Sequence, residues 1–207
     1  LHGINDASIR IGLRLSKDET IVRMPFEVRH MGSKYPIFSF DFTGAKRGVL
    51  PASYDYLRLE GRMQYRLNLP PIGYSQLMLE GGKIFGKVPY LLLKLHEGNG
   101  TYFYDRYAFS CMNFYEFSSD AWISFFYEHH FNGFLLGRVP LLKKLNWREV
   151  FVFKGVYGTL SARNDGSLPN TKAVMLFPVG MSSVEHPYLE TGFGIENIFR
   201  LLHVDCI

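Results

Sequence analysis

Few residue combinations in this 207-residue chain could do chemistry, and the most tempting is His129-His130. Neighbouring strand residues point to opposite faces, so the two imidazoles cannot close on one metal ion from a regular strand. One is expected on a polar face and the other in an aromatic girdle. His96, His186 and His203 lie in separate segments without ligand spacing. No metal and no other cofactor is expected. Gly81-Gly82-Lys83 lacks the upstream Gly, the following Ser/Thr and the helix of a phosphate loop. Its glycines read better as room for close backbone approach at a strand end. Ser110, Ser118 and Ser119 stand in no nucleophile-elbow context, and Glu60, Glu80, Glu128 and Glu190 fall on different strand candidates. The inventory points away from an enzyme. The basic set Arg10, Arg14, Arg58, Arg62 and Arg66 is more informative. On one enclosed wall it would favour anions or an acidic plug. Alternatively, these side chains satisfy the carbonyls and carboxylates of a loop folded against them.

The elements that must position these residues are strands. Ile9, Ile11, Leu13 and Leu15 interleave with Arg10, Gly12, Arg14 and Ser16, and Phe38, Phe40 and Phe42 with Ser39, Asp41 and Thr43. From Leu57 to Leu69 a largely apolar set alternates with Arg58, Glu60, Arg62, Gln64, Arg66 and Asn68. Period-two alternation gives each ribbon one apolar and one charged face, whereas helical spacing would scatter the charges round a cylinder. The Leu57–Leu69 run would extend roughly 43 Å at ~3.3 Å per residue, against about 17–20 Å for an ordinary soluble strand. Such length suits a lipid-facing barrel with a wet lumen. The alternative is a soluble sandwich or lipocalin-like barrel with one solvated face.

Composition narrows the classes further. Lys and Arg number 23 against 19 Asp and Glu, for a net charge of +4 and a pI near 9.0. The charges are spread along the chain, so nucleic acid is not an expected partner. Two Cys exclude a disulfide-rich scaffold. Charged residues at 20% and hydrophobic ones at 47% describe a folded chain, and 16% of it is aromatic. No run approaches the ~18 apolar residues of a spanning helix, so any membrane must be crossed by strands. Without an initiator Met or a leader, the chain is expected to be a fragment or a processed product.

Pro70, Pro71 and Gly73 predict a tight turn into a strand over Tyr74–Gly82. Further strands are expected over Trp122–Phe131, Glu149–Gly158, Leu189–Glu196 and Leu202–Ile207, the last two as a hairpin around Asn197-Ile198-Phe199. The connectors Gly44–Asp55, Lys87–Asp120 and Leu160–Pro187 are long and Asn68–Gly73 and Asn197–Leu201 are tight, as in bacterial outer-membrane barrels. Ser16–Pro36 and Asn132–Trp147 break that asymmetry by being long where brief turns are expected. No domain boundary is visible.

Several blocks together carry a family likeness. They are Gly81-Gly-Lys-Ile-Phe-Gly-Lys-Val-Pro-Tyr90, Tyr102-Phe-Tyr-Asp-Arg-Tyr-Ala-Phe109, Phe126-Tyr-Glu-His-His-Phe-Asn-Gly133, Pro140-Leu-Leu-Lys-Lys-Leu-Asn-Trp-Arg-Glu149 and Pro187-Tyr-Leu-Glu-Thr-Gly-Phe-Gly-Ile-Glu-Asn-Ile-Phe199. From about residue 35 onward the chain resembles an uncharacterised family of Gram-negative outer-membrane proteins. Its members carry a carboxypeptidase-regulatory-like domain ahead of a barrel similar to the BamA/TamA surface-antigen superfamily. The resemblance implies sixteen strands and a long sixth loop folded into the lumen. On that plan Tyr74–Gly82 is strand eleven and Lys87–Asp120 is the sixth loop. The remaining segments are strands twelve to fifteen, with the first half of the barrel and the closing strand missing. The superfamily's Val-Arg-Gly-aromatic loop tip is not present; Lys87-Val88-Pro89-Tyr90 and Asp105-Arg106-Tyr107 stand in its region. The resemblance places Glu128 where a loop-docking carboxylate is expected, and Lys154-Gly155 where an Asp would be. Arg106 is then the expected docking cation, with Lys87 beside it. The competing expectation puts Arg106 on the polar face of a strand over 104–117.

Residues 1–207 are thus expected to form an all-β, antiparallel transmembrane β-barrel domain, the C-terminal part (about eight strands) of a sixteen-stranded barrel in the bacterial outer membrane. The implied partners are outer-membrane lipid and unfolded or exported polypeptides, which such a protein helps to insert or translocate. The alternatives are a passive or plugged pore for anionic solutes and a soluble ligand-binding β-protein.

Overall fold

Alternation builds the molecule. The computed structural model describes residues 5–49, 51–100, 104–167, 175–184 and 186–207. In chain order the strands are β1 (Ile9–Leu15), β2 (Ile21–Arg23), β3 (Val28–His30), β4 (Ile37–Ala45), β5 (Tyr56–Asn68), β6 (Tyr74–Gly86), β7 (Lys94–Leu95) and β8 (Phe117–Ser119). They continue as β9 (Ala121–His130), β10 (Arg148–Thr159), β11 (Ser182–Ser183), β12 (Tyr188–Ile198) and β13 (Leu202–Cys206), with one short helix α1 (Pro140–Lys143). Among the described residues no helix is long and apolar enough to cross a membrane.

The main sheet has eight strands in the order β1-β4-β5-β6-β9-β10-β12-β13, and each neighbouring pair is antiparallel. Its members match the eight alternating segments. β5 and β6 are each 13 residues long, β6 running four residues beyond its expected end. The fold is therefore all-β, but the sheet is open: β1 and β13 are its edges, and it is not closed into a barrel. The expected hairpin near the C-terminus turns at Phe199–Leu201 rather than at Asn197, with an irregular register between Ile195 and Ile198.

The turn over residues 69–73 forms as expected, with the Leu69 amide donating to Gly73 O at 2.8 Å. Gly73 has φ +104°, and a Cβ there would lie 1.8 Å from His130 O, so only glycine fits. Gly82 is not at a strand end but inside β6. A Cβ on it would meet Leu59 O and the Trp122 ring at 2.6 Å, so its absence lets that indole lie flat across the sheet.

The register separates two faces. One carries Ile9, Ile11, Leu13, Phe38, Phe40, Phe42, Leu57, Leu67, Ile123, Tyr157, Leu189, Phe193 and Val204, all exposed. Ile11 is 65% and Phe193 68% exposed, while Glu128 at 2% and Lys154 at 1% are buried on the other face. Soluble sheets bury their apolar face, and here the relation is inverted.

The buried face is covered by the long connectors. The strands that flank connectors 46–55, 87–120 and 160–187 all meet them at one end of the sheet. Tyr56, Ile84 and Trp122 pack there with Val88 and Leu93 of the second connector, and Leu160 and Phe177 of the third lie against them. β7, β8 and β11 form a small separate sheet within these connectors. Asp120 accepts hydrogen bonds from the Ser161 amide (3.0 Å) and from Asn164 Nδ2 (3.0 Å), while Asn164 Oδ1 accepts from the Val88 amide (3.1 Å). At the opposite end, connector 16–36 folds into the β2–β3 hairpin and connector 131–147 into α1 with its flanking turns, which is why these two exceed ordinary turn length.

Candidate functional site

Successive even-numbered residues of β9 share the buried face, so Glu128 and His130 point the same way. β6 presents Gln76 opposite Glu128 and Tyr74 opposite His130; β10 presents Val152 and Val150 on the other side. β12 supplies Glu190 opposite Lys154, and Glu196 near the end of the sheet. Across this wall runs the segment 104–112.

Arg106 is the link between segment and wall. Its Nε donates to Glu128 Oε2 at 2.5 Å, and a terminal nitrogen donates to Gln76 Oε1. Burial works against its charge, but the Glu128 carboxylate overrides that and holds the guanidinium pKa above its ordinary value. The Tyr104 hydroxyl donates to Glu128 Oε2 at 3.4 Å, and burial beside this carboxylate raises its pKa. Behind Glu128, His130 Nε2 lies 2.8 Å from Oε1 and Nδ1 lies 3.1 Å from Glu196 Oε2, while the Tyr74 ring stacks on the imidazole at 4.5 Å. The segment 104–112 is irregular and not the strand that was the competing expectation. Residues 102–103, which open one of the quoted sequence blocks, lie outside the described residues.

Two charged groups hold the segment by its main chain. Lys154 Nζ donates to Ala108 O at 2.5 Å and Asp105 O at 3.2 Å, and lies 3.5 Å from Ser110 Oγ. Glu190 accepts the Ser110 and Cys111 amides, one on each oxygen, both at 2.8 Å. Phe109, 1% exposed, fills the apolar hollow beside them with Met78, Phe126, Val156 and Met112. The wall is therefore less uniformly polar than alternation implies, because Val152 and Val156 of β10 face the covering segment.

Lys87 is exposed beyond the end of β6 and takes no part in this arrangement. The five arginines do share the polar side of the sheet, where four of them are exposed to solvent, but not as an unbalanced basic row. Arg10 pairs with Asp41 (3.0 Å), Arg58 with Glu60 (2.7 Å), Arg62 with Glu80 (2.6 Å) and Arg14 with Glu19. Arg66 lies over the Tyr74 ring at 4.2 Å, and Arg58 over the Trp122 ring at 5.5 Å. Their partners come mostly from the sheet itself rather than from the infolded connector, because same-face residues two apart on a strand or opposite one another across strands lie within side-chain reach. Lys94 of the connector joins the Glu80 pair at 2.7 Å. Beside it His96 is buried, with Nε2 2.9 Å from Ser119 Oγ; burial and then Lys94 push its pKa down to about 4.

His129 and His130 diverge as adjacent strand residues must. His129 sits on the opposite face near the 69–73 turn, with Nδ1 2.7 Å from Ser75 Oγ and Nε2 3.0 Å from Ile72 O, and packs against Tyr127 and Phe131. Among the described residues no cluster of three or more His, Cys, Asp or Glu has metal-binding geometry. Gln76 and Glu196 carry no sequence signal of their own, and His130, Glu190 and Lys154 enter the sequence reading only as a metal candidate, a carboxylate and a departure from an expected Asp. Face parity with Glu128 was the signal available for Gln76 and His130.

These features define an all-β protein whose antiparallel sheet exposes its apolar face and lays an inter-strand connector along its polar one. Residues 4–162 match the C-terminal domain of a family of unknown function, DUF5686, and the chain belongs to that family. No curated protein matches the chain.

Proposed function

We propose that this sheet is a sector of a closed outer-membrane β-barrel of BamA/TamA type, which assists insertion or translocation of polypeptides and is not an enzyme. The inverted sheet carries the reading: its exposed face is apolar, and its buried face holds paired charges and an infolded connector. From Leu57 to Leu67 the exposed row of β5 rises ~33 Å, which at the usual barrel tilt gives a band about 25 Å tall, matching a bilayer's hydrocarbon core. The long connectors gathered at one end, the strand order and the sequence blocks quoted above support the likeness to the BamA/TamA barrel. Outer-membrane lipid then covers the apolar face. Unfolded polypeptides are the clients, paired at a weakly closed seam between the barrel's first and last strands, whose backbone groups template an added strand when the seam parts. Depletion of the full-length protein is expected to leave unassembled barrel clients in the cell envelope; normal assembly would overturn the reading.

A plugged pore is the second reading. A cavity of about 700 Å³ beside the 16–36 connector, lined by Lys34, Tyr35, Gln64, Arg66, Gln76 and Tyr107 among others, favours it. The pairing of most arginines with acids argues against strong anion preference. Planar-bilayer conductance with and without residues 87–120 tests it, and a silent bilayer after the deletion removes it.

A further inference from the structure

The wall beneath residues 104–112 reads a peptide by three separate devices. Glu128 and Gln76 receive a guanidinium, the Met78–Phe126–Val156 hollow receives an aromatic ring three residues later, and Lys154 and Glu190 bind the main chain between and beyond. The last device is the telling one. Lys154 and Glu190 are register partners of opposite charge, and a buried pair of that kind ordinarily turns inward on itself. Here Lys154 takes the carbonyls of Asp105 and Ala108, and the two Glu190 oxygens take two consecutive amides. Main-chain groups are common to every polypeptide, so this clamp does not depend on whose segment lies there. Only the cationic and aromatic anchors select.

We infer that this wall is a binding site for peptide segments of the pattern cationic–x–x–aromatic, turned at the cationic end, and filled in cis by Arg106-Tyr107-Ala108-Phe109. Residues 104–112 are thus an internal competitor that a client segment with the same spacing displaces. The inference rests on the reading of this protein as one that handles polypeptides, and it names the feature of the client that the wall recognises. Charge-assisted and bidentate hydrogen bonds to the buried Glu128, Lys154 and Glu190 give that recognition its strength.

The test uses the full-length protein in detergent micelles and a fluorescently labelled synthetic peptide spanning residues 104–112, with Ser replacing Cys111. Arg106→Glu repels Glu128 and frees the site. This variant is expected to bind the peptide at least about tenfold more tightly than the unsubstituted protein, whose site is occupied. Glu128→Lys also frees the site, but reverses its charge. It is expected to prefer a peptide carrying Glu in place of its Arg, a reversal that loss of folding cannot produce. Absence of saturable binding to both variants, or equal binding of the two peptides by each, overturns the inference. If clients still accumulate on depletion while both variants ignore both peptides, the assembly role stands and the peptide site falls. Normal client assembly on depletion removes the role itself.

Discussion

Arg106 and Glu128 lie 22 residues apart in sequence and meet at 2.5 Å, the first from a connector and the second from the strand that this connector leads into. Glu128 is buried and Arg106 partly open to solvent, so losing the arginine strands a carboxylate that already has His130 and Tyr104 as neighbours. Removing one partner of a buried pair is costly, and partial solvent access reduces that to about 1–3 kcal/mol here. Arg106→Ala is expected to release the 104–112 segment, read as faster proteolysis between Asp105 and Met112 in the folded protein. Unchanged cleavage would show that the main-chain clamp suffices alone.

Acid should loosen the same connector from a different place. His96 has its pKa lowered to about 4 when packed, against 6.5 when exposed, so the undocked state binds a proton more readily. Its neighbours are Lys94, which disfavours the imidazolium, and Glu80, which opposes that effect. The stabilisation is complete above pH ~6.5 and is lost as pH falls toward 4, by up to roughly 3 kcal/mol for this shift. Chemical denaturation followed between pH 7 and pH 4 reads the effect, and His96→Gln should flatten that part of the profile.

The two faces of the sheet should respond oppositely to charge. Phe193→Lys or Ile11→Lys puts an ammonium on the exposed apolar row, at about 2–4 kcal/mol if the site is near the bilayer midplane. Either is expected to lower the share of protein that resists extraction by alkali without detergent. Thr43→Lys, on the opposite face, should leave that share unaltered. Equal extraction of all three would mean that lipid does not contact the row.

Gly73→Ala should be among the most damaging single changes in the sheet. The added carbon meets His130 O and requires a left-handed backbone that alanine disfavours. A loss of at least about 2 kcal/mol is expected, read from the midpoint of denaturant unfolding in micelles.

The eight long strands were legible because each keeps its period for at least five residues, enough for two faces to differ in composition. β2, β3, β7, β8 and β11 are two or three residues long, too short to show any period. Arg106 and Glu128 are pointed to by family likeness alone. Lys87 was misleading, since nearness in sequence to the strand end says nothing about which way a connector turns. Lys154 and Glu190 escaped notice as site residues for a chemical reason. Their partners are amides and carbonyls, which every residue possesses and no pattern of side chains can reveal.

The knot of Asp120, Ser161 and Asn164 has a mechanical corollary. Asn164 bonds both to Asp120, where one connector ends, and to Val88, where it begins, so the two largest excursions from the sheet are stitched into one piece. They should fray together and reclose together, as a single cooperative block. A ligand or antibody that pulls on residues 175–184 therefore tugs, through that stitch, on the same stretch of chain that Arg106 pins to β6 and β9.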